Sequence, residues 1–523
     1  MRFLLALILI FTSFMGYSQK IKTVFKINTS FIPFMLISSY IFIITLAARL
    51  SLMLFSVLVV NIVGVYFFII GMKDKEVYNK LFPEYFLFFI SVIILILFLY
   101  KRKLFMYDDF SHWGIISRLL LQKNAINTSL DNTVYYKSYP QATAYFIYGI
   151  TKFLGYTEGN MMIANSLITL SGAFTFLSIS KKKLANYFLS FIIIIFSFIY
   201  NIRPYSLLVD TILSTSSFAI FAFVYSNDLS SSNKYLKIFL IPMFVSLVYT
   251  KNSGLFLSIF LLFYIIKKYI RKDNKLIVIS FLSIILANIS WSNHIKNEFV
   301  NTGKHSMSLS SYKQGLIGNH DAINEFTRNF LNKVLTDKIM LSLILILFLY
   351  ILLEKDRKVF VNLLLTSLIV YIVYQVGNYF MFITSMSVSE LKRMASFDRY
   401  TRTIQMILVL INLYVTNDYI GSKKYCKFIS YLLLLFSLIF IDPPEEIGNQ
   451  DTTFRDNLYE IKQEKNIEKS KKILIKYKEY DMTRYITRMT MYEFETTEVQ
   501  DTFPGDEKQF NKNDYDYFID LSK

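Results

Sequence analysis

Apolar runs recur along this chain at or near the length, about 17 to 25 helical residues, that crossing about 30 Å of hydrocarbon needs. They fall at 28–48, 50–70, 83–100, 160–180, 184–200, 206–225, 235–250, 253–267, 275–293, 338–353, 359–380, 402–419 and 425–441, several of them short. Residues 1–18, with a basic start, an apolar middle and a small-residue end, are either a cleaved signal peptide or a further span. The chain is 54% hydrophobic and only 18% charged, with a mean hydropathy of +0.42, too apolar for a water-soluble fold. The expected architecture is an all-α polytopic membrane bundle of about 13 to 14 transmembrane helices. One cysteine excludes an internal disulfide, and four histidines leave little for a structural zinc site. A formal charge of +18 raises the question of nucleic acid, but no basic run interleaved with aromatics lies outside the apolar segments. The positive-inside rule accounts for the excess better.

Cations retained in the cytoplasm orient the spans. The basic clusters at 181–183, 267–275, 354–358 and 423–427 share one side if the spans alternate. Alternation then puts the polar stretches 101–159, 294–337, 381–401 and the tail after 442 outside, with Lys101, Arg102 and Lys103 as the exception. It favours an uncleaved first segment with the amino terminus outside. Counting 139–154 as a span would flip every later basic cluster, so this segment is expected to lie in the interface with its aromatic rings at headgroup depth. The tail is predicted to form a small α/β extracytoplasmic domain, with a helix at 454–465 and strands at 472–477 and 515–521. No fixed-period repeat or heptad pattern occurs.

The most informative string is Tyr107-Asp108-Asp109-Phe110-Ser111-His112-Trp113-Gly114, directly after an apolar run. Phe110, Trp113, Ile116 and Leu120 recur at helical spacing, predicting an amphipathic helix on the bilayer with His112 in reach of either carboxylate. Asp108 and Asp109 are either an N-cap and a helix-dipole partner, or a general base and its orienting neighbour. Asp108-Asp109, then Lys137-Ser138-Tyr139-Pro140, then Lys152-Phe153-Leu154-Gly155 and an outer carboxy-terminal domain follow in one order. This order resembles the GT-C superfamily of polytopic glycosyltransferases, which includes protein O-mannosyltransferases and aminoarabinose transferases. Gln141 stands where a second proline is usual.

The resemblance implies an inverting enzyme at the outer face of the plasma membrane. Its donor would be a polyprenyl-phosphate-linked sugar and its acceptor a glycan, lipid or protein, with no cofactor. Asp108, Asp109 and His112 would be the catalytic groups. A phosphate leaving group needs fixed cations, for which Lys137, Lys251, Arg393, Arg399 and Arg402 are candidates; Tyr139, Tyr400 and Arg203 are candidates for substrate contact. Lys251 also reads as a snorkelling lysine at a helix end, and Asp398 as a local partner for the arginines beside it. Asp210 reads as a structural partner for Arg203. His294, His305 and His320 read as polar loop residues, without the spacing of metal ligands. The alternatives are a lipid-linked glycan polymerase or ligase and, from another class, a lipid flippase or transporter.

Overall fold

The computed structural model describes residues 2–179, 202–230, 234–299, 320–420, 453–477, 485–502 and 514–521, apart from 74, 130, 132, 133, 135, 137, 356, 466, 469 and 470 within them. The expected spans 184–200 and 425–441, as well as Lys137 and His305, lie outside the described residues.

The helices are α1 (Arg2–Phe25), α2 (Ile32–Arg49), α3 (Met53–Gly71), α4 (Lys75–Leu99), α5 (Gly114–Lys123), α6 (Ala142–Leu154), α7 (Glu158–Phe174), α8 (Asp210–Ser226), α9 (Leu240–Val248), α10 (Ser253–Tyr269), α11 (Asn274–Glu298), α12 (His320–Leu335), α13 (Lys338–Leu353), α14 (Arg357–Ser385), α15 (Val388–Lys392) and α16 (Phe397–Ile420). Among the described residues, eight helical stretches are long and apolar enough to cross a membrane. The chain is thus a polytopic helical membrane protein.

Burial separates the lipid-facing helices from the internal ones. On α3 the buried residues are Met53, Val57, Asn61, Gly64 and Gly71, a single stripe, and the remaining face exposes Phe55, Ile62, Tyr66 and Ile69. A helix apolar all round with one stripe in the protein has lipid as its other solvent. The segment 1–18 is part of α1, which closes on that stripe: a Cβ on Gly16 would stand 2.0 Å from the Gly64 carbonyl oxygen. Small residues let two apolar helices approach this far.

Helix α8 is the opposite case. It is buried from Ile212 to Val224 on every side, and at 17 residues it is apolar because protein surrounds it. The expected spans at 206–225 and 253–267 are both 17-residue helices, the second with one buried stripe and Ile259 and Phe263 exposed, and 235–250 contributes the nine-residue α9.

The first long loop also differs from expectation. Helix α6 does not present its rings to a membrane surface: Ala142 to Thr151 are buried throughout, and α6 packs on α2, α5 and α7. The Tyr148 hydroxyl donates to Asn124 Oδ1 at 2.9 Å, and Gly149 receives the Tyr40 ring so closely that a Cβ would stand 2.2 Å from its hydroxyl. An amphipathic aromatic pattern suits a protein groove as well as headgroups, and here the groove holds it.

The tail forms a small α/β unit: α17 (Thr453–Glu464), β1 (Ile473–Tyr477), α18 (Tyr485–Phe494), β2 (Val499–Thr502) and β3 (Tyr517–Leu521). The strands are parallel in the order β2-β1-β3, with Ile473 opposite both Val499 and Tyr517. The expected helix and two strands are present; α18 and β2, too short and polar to stand out, were not anticipated. The unit packs directly on the loop that carries the acidic doublet.

Candidate functional site

Immediately after Asp108 the chain makes one π-helical turn, Asp109–Trp113, before continuing as α5. Such turns are rare and cluster at functional sites, because the wider coil re-aims its side chains. The expectation that the doublet caps this helix does not hold. Asp108 makes no cap hydrogen bond, and the fully buried Asp109 accepts the N–H of Leu207 at 2.9 Å and of Met106 at 3.2 Å. Asp109 thereby ties the turn to the loop before α8.

Asp108 faces the other way, into a charged cluster drawn from four separated segments. Its Oδ2 accepts from Arg399 Nη1, in the first turn of α16, at 2.6 Å. Arg399 Nε lies 3.4 Å from Asp210 Oδ2, at the start of α8, and Asp210 Oδ1 accepts from Lys251 Nζ at 2.9 Å. Lys251 occupies the bend between α9 and α10, kept tight by Gly254, where a Cβ would meet the Leu247 carbonyl oxygen at 2.1 Å. The Tyr400 ring lies under both cations, 4.8 Å from the Lys251 ammonium and 5.5 Å from the Arg399 guanidinium. Beside them runs an aromatic wall: His112 meets Trp113, Tyr136 and Tyr139 at 4.5, 5.1 and 5.0 Å, and Tyr139 stacks on both Trp113 and Tyr136. His112 Nδ1 pairs with Ser111 Oγ at 2.8 Å.

These surroundings separate the two acids. Burial alone would raise Asp108, but the charges of Arg399 and Lys251 and the Arg399 hydrogen bond outweigh it and hold the carboxyl at about 2. Among the described residues Asp109 forms no ion pair; burial dominates, Asp108 and Glu158 add to it, and the two backbone N–H groups offset only part, leaving it at about 8. Burial, together with the nearby Arg399 and Lys251, pushes His112 down to about 3 against the pull of Asp108 and Asp210, so the ring is neutral at physiological pH.

The cluster therefore collects Asp108, Lys251, Arg399 and Tyr400, with His112 and Tyr139 on its wall and Asp109 behind it. Arg203 lies in the loop that holds Asp109, where its carbonyl accepts from Ser206. The ion partners of Asp210 are Lys251 and Arg399, not Arg203, so the local pairing read from the sequence gives way to a tertiary one. Likewise Asp398 pairs with Lys333 at 3.0 Å and leaves Arg399 to Asp108. Arg393 is exposed just past α15, apart from the cluster. Arg402 donates to Gln405 Oε1 at 3.1 Å, in a separate network where Gln405 and Tyr371 both donate to Asp337. Among the described residues, no three His, Cys, Asp or Glu side chains converge as they would around a metal ion.

The tail grips the segment that leads into the turn. Arg455, buried on α17, bonds Glu158 of α7, Glu493 of α18 and the Leu104 carbonyl, and its guanidinium lies 5.3 Å from the Phe110 ring. Glu158 also accepts the Leu104 N–H at 2.7 Å, and the Tyr485 hydroxyl donates to the Phe105 carbonyl. Arg118 stacks 3.8 Å from the Tyr492 ring. Nothing in the sequence pointed to Arg455, whose partners in the grip are remote along the chain.

Compared with known proteins, this chain matches no family model, no curated protein and no solved structure.

Proposed function

We propose that the chain is a membrane glycosyltransferase that moves a sugar from a polyprenyl-phosphate-linked donor to a hydroxyl acceptor at the outer face of the plasma membrane. The observation that carries this reading is the convergence of Asp108, Asp210, Lys251 and Arg399 beside an aromatic wall. Buried ion pairs are poor investments in stability, since apolar replacements often do as well, so a network assembled from four segments in an apolar protein calls for a chemical use.

Acid and cation divide the work of a displacement at the anomeric carbon. A donor phosphate competes for Arg399 and Lys251. As Arg399 turns to it, Asp108 loses the partner that held its carboxyl at about 2 and becomes a competent base. The acceptor hydroxyl then gives its proton to Asp108 while its oxygen bonds the anomeric carbon. The bond from that carbon to the phosphate oxygen breaks, its electron pair goes to the phosphate, and the two cations meet the new charge. One direct displacement inverts the carbon. Asp109, protonated near neutral pH, positions the turn and is not the base.

The test is transfer of radiolabelled sugar from a lipid-linked donor in membranes carrying Asp108→Asn. Loss of about a hundredfold or more is expected for a missing general base; full transfer by a correctly inserted variant overturns the proposal. A glycan polymerase or ligase leaning on late-loop arginines also has a claim on Arg399, which stands in the same cluster. In that case Arg399→Ala abolishes activity while Asp108→Asn spares most of it.

A further inference from the structure

A cavity of about 460 Å³ opens at the mouth between α1 and α4, apart from the charged cluster. The two helices run antiparallel and pack through aromatic rings: Phe3 meets Tyr100 at 5.5 Å, Phe11 meets Phe89 at 5.4 Å and Phe14 meets Tyr85 at 5.5 Å. The cavity lies where that row of rings ends. Phe3 and residues 96–98 and 100–102 line it, so apolar side chains share one space with two cations, Lys101 and Arg102.

Those cations lack a carboxylate. The next residue, Lys103, pairs with Asp456 at 2.7 Å, whereas Lys101 and Arg102, both exposed, form no ion pair among the described residues. The Arg102 guanidinium lies 5.0 Å from the Phe98 ring. The carbonyl end of α4 supplies about half a negative charge, too little for two cations. Charge bias along the chain does not account for them either, since alternation of the spans sets them opposite the other basic clusters. An anion from outside the chain would meet them.

The rest of α4 says what kind of anion. Phe82, Phe86, Ile90, Ile94 and Phe98 are exposed and recur every four residues, a continuous ridge that ends at the cavity, with Ile93 and Leu97 exposed beside it. Cations at the end of an apolar ridge complement an amphiphile with an anionic head. A soluble anion would use the cations and leave the ridge idle, and a zwitterionic lipid brings an ammonium that competes with them. Two rows of exposed side chains suit a lipid with two chains better than one with a single polyprenyl chain.

We propose that this cavity holds the headgroup of an anionic phospholipid of the surrounding bilayer, with its phosphate between Lys101 and Arg102 and its chains along the exposed ridge of α4. Lys103 pairs with the tail, and Leu104 is held by Glu158 and Arg455, so the bound lipid fixes the braced end of the protein at headgroup depth. The site stands whether or not the charged cluster transfers a sugar.

The experiment uses the full-length protein in phosphatidylcholine nanodiscs that contain a graded fraction of photoreactive phosphatidylglycerol, with labelled peptides read by mass spectrometry. Label is expected within residues 90–102, saturating as the phosphatidylglycerol fraction rises. The double variant Lys101→Gln with Arg102→Gln should lower it about tenfold or more. Arg271→Gln with Lys272→Gln, which removes the same charge from exposed positions between α10 and α11, should leave it unchanged. Lys101→Gln alone acts in the same direction and serves if the double variant does not insert. Equal loss in the Arg271 and Lys272 variant, or equal labelling by photoreactive phosphatidylcholine, overturns the site. Displacement by inorganic phosphate makes it a plain anion site, and displacement by a smaller fraction of polyprenyl monophosphate than of unlabelled phosphatidylglycerol gives the cavity to a polyprenyl lipid; either result overturns the phospholipid.

Discussion

Two adjacent carboxylates of the same residue type are driven to opposite protonation states, and this has a measurable consequence at Asp109. Its folded value of about 8 stands far above the model-peptide range, so the folded protein holds a proton there that the unfolded chain has released. That stability is present in full in acid and is lost as pH rises through about 8. His112 works in the other sense below about 6.5, because the folded ring stays neutral down to about 3 while the unfolded one is charged. Between pH 6.5 and 8 Asp109 acts without that opposition. We expect the unfolding temperature in detergent to fall between those pH values and the fall to vanish in Asp109→Asn; a fall that persists in the variant removes Asp109 as its source. The doublet was legible as a doublet because its members are neighbours in sequence. Which acid faces the cations was not, since that depends on Leu207 and Arg399, remote in the chain. Asp398 misled for a related reason. It sits next to Arg399, but adjacent positions on a helix point to different faces, and Lys333 takes it.

At the scale of elements, the bend between α9 and α10 and the grip of the tail each make a prediction. Lys251→Met leaves Asp210 with Arg399 alone and should lower stability, whereas the double variant Lys251→Met with Asp210→Leu should recover most of it, since an apolar pair often replaces a buried ion pair without loss. Transfer activity should stay lost in both, which separates chemical use from structural use; activity that returns with stability refutes the separation. Arg455→Met strands Glu158 and Glu493 without their shared cation, a loss of about 3–5 kcal/mol for a broken buried pair. Hydrogen exchange should speed up at Leu104–Asp109 and in α17 while the α1–α3 pair is unchanged; equal protection of Leu104–Asp109 in both proteins contradicts the grip. The helices themselves were largely visible in advance, because length and apolarity are local. What surrounds each helix was not visible, because one buried on every side, such as α8, and one with a single buried stripe, such as α3, carry the same apolar residues.

Across the whole molecule, the acidic doublet and the tail domain share one end, joined by Arg455, Tyr485 and Arg118. Their sidedness is therefore a single question. With the natural cysteine, Cys426, replaced by serine, Tyr459→Cys on the exposed face of α17 should react with a membrane-impermeant maleimide in intact cells. Reaction only after the membrane is opened puts both parts in the cytosol, away from any outward-facing lipid-linked sugar.

The Arg455 contact with Leu104 spans 351 residues of chain. A ribosome releases Leu104 long before it makes Arg455, so the amino-terminal helices must insert and wait with their acidic turn unbraced. A chain that stopped short of Arg455 would seat its early helices and leave the segment from Leu104 to the acidic turn without that brace.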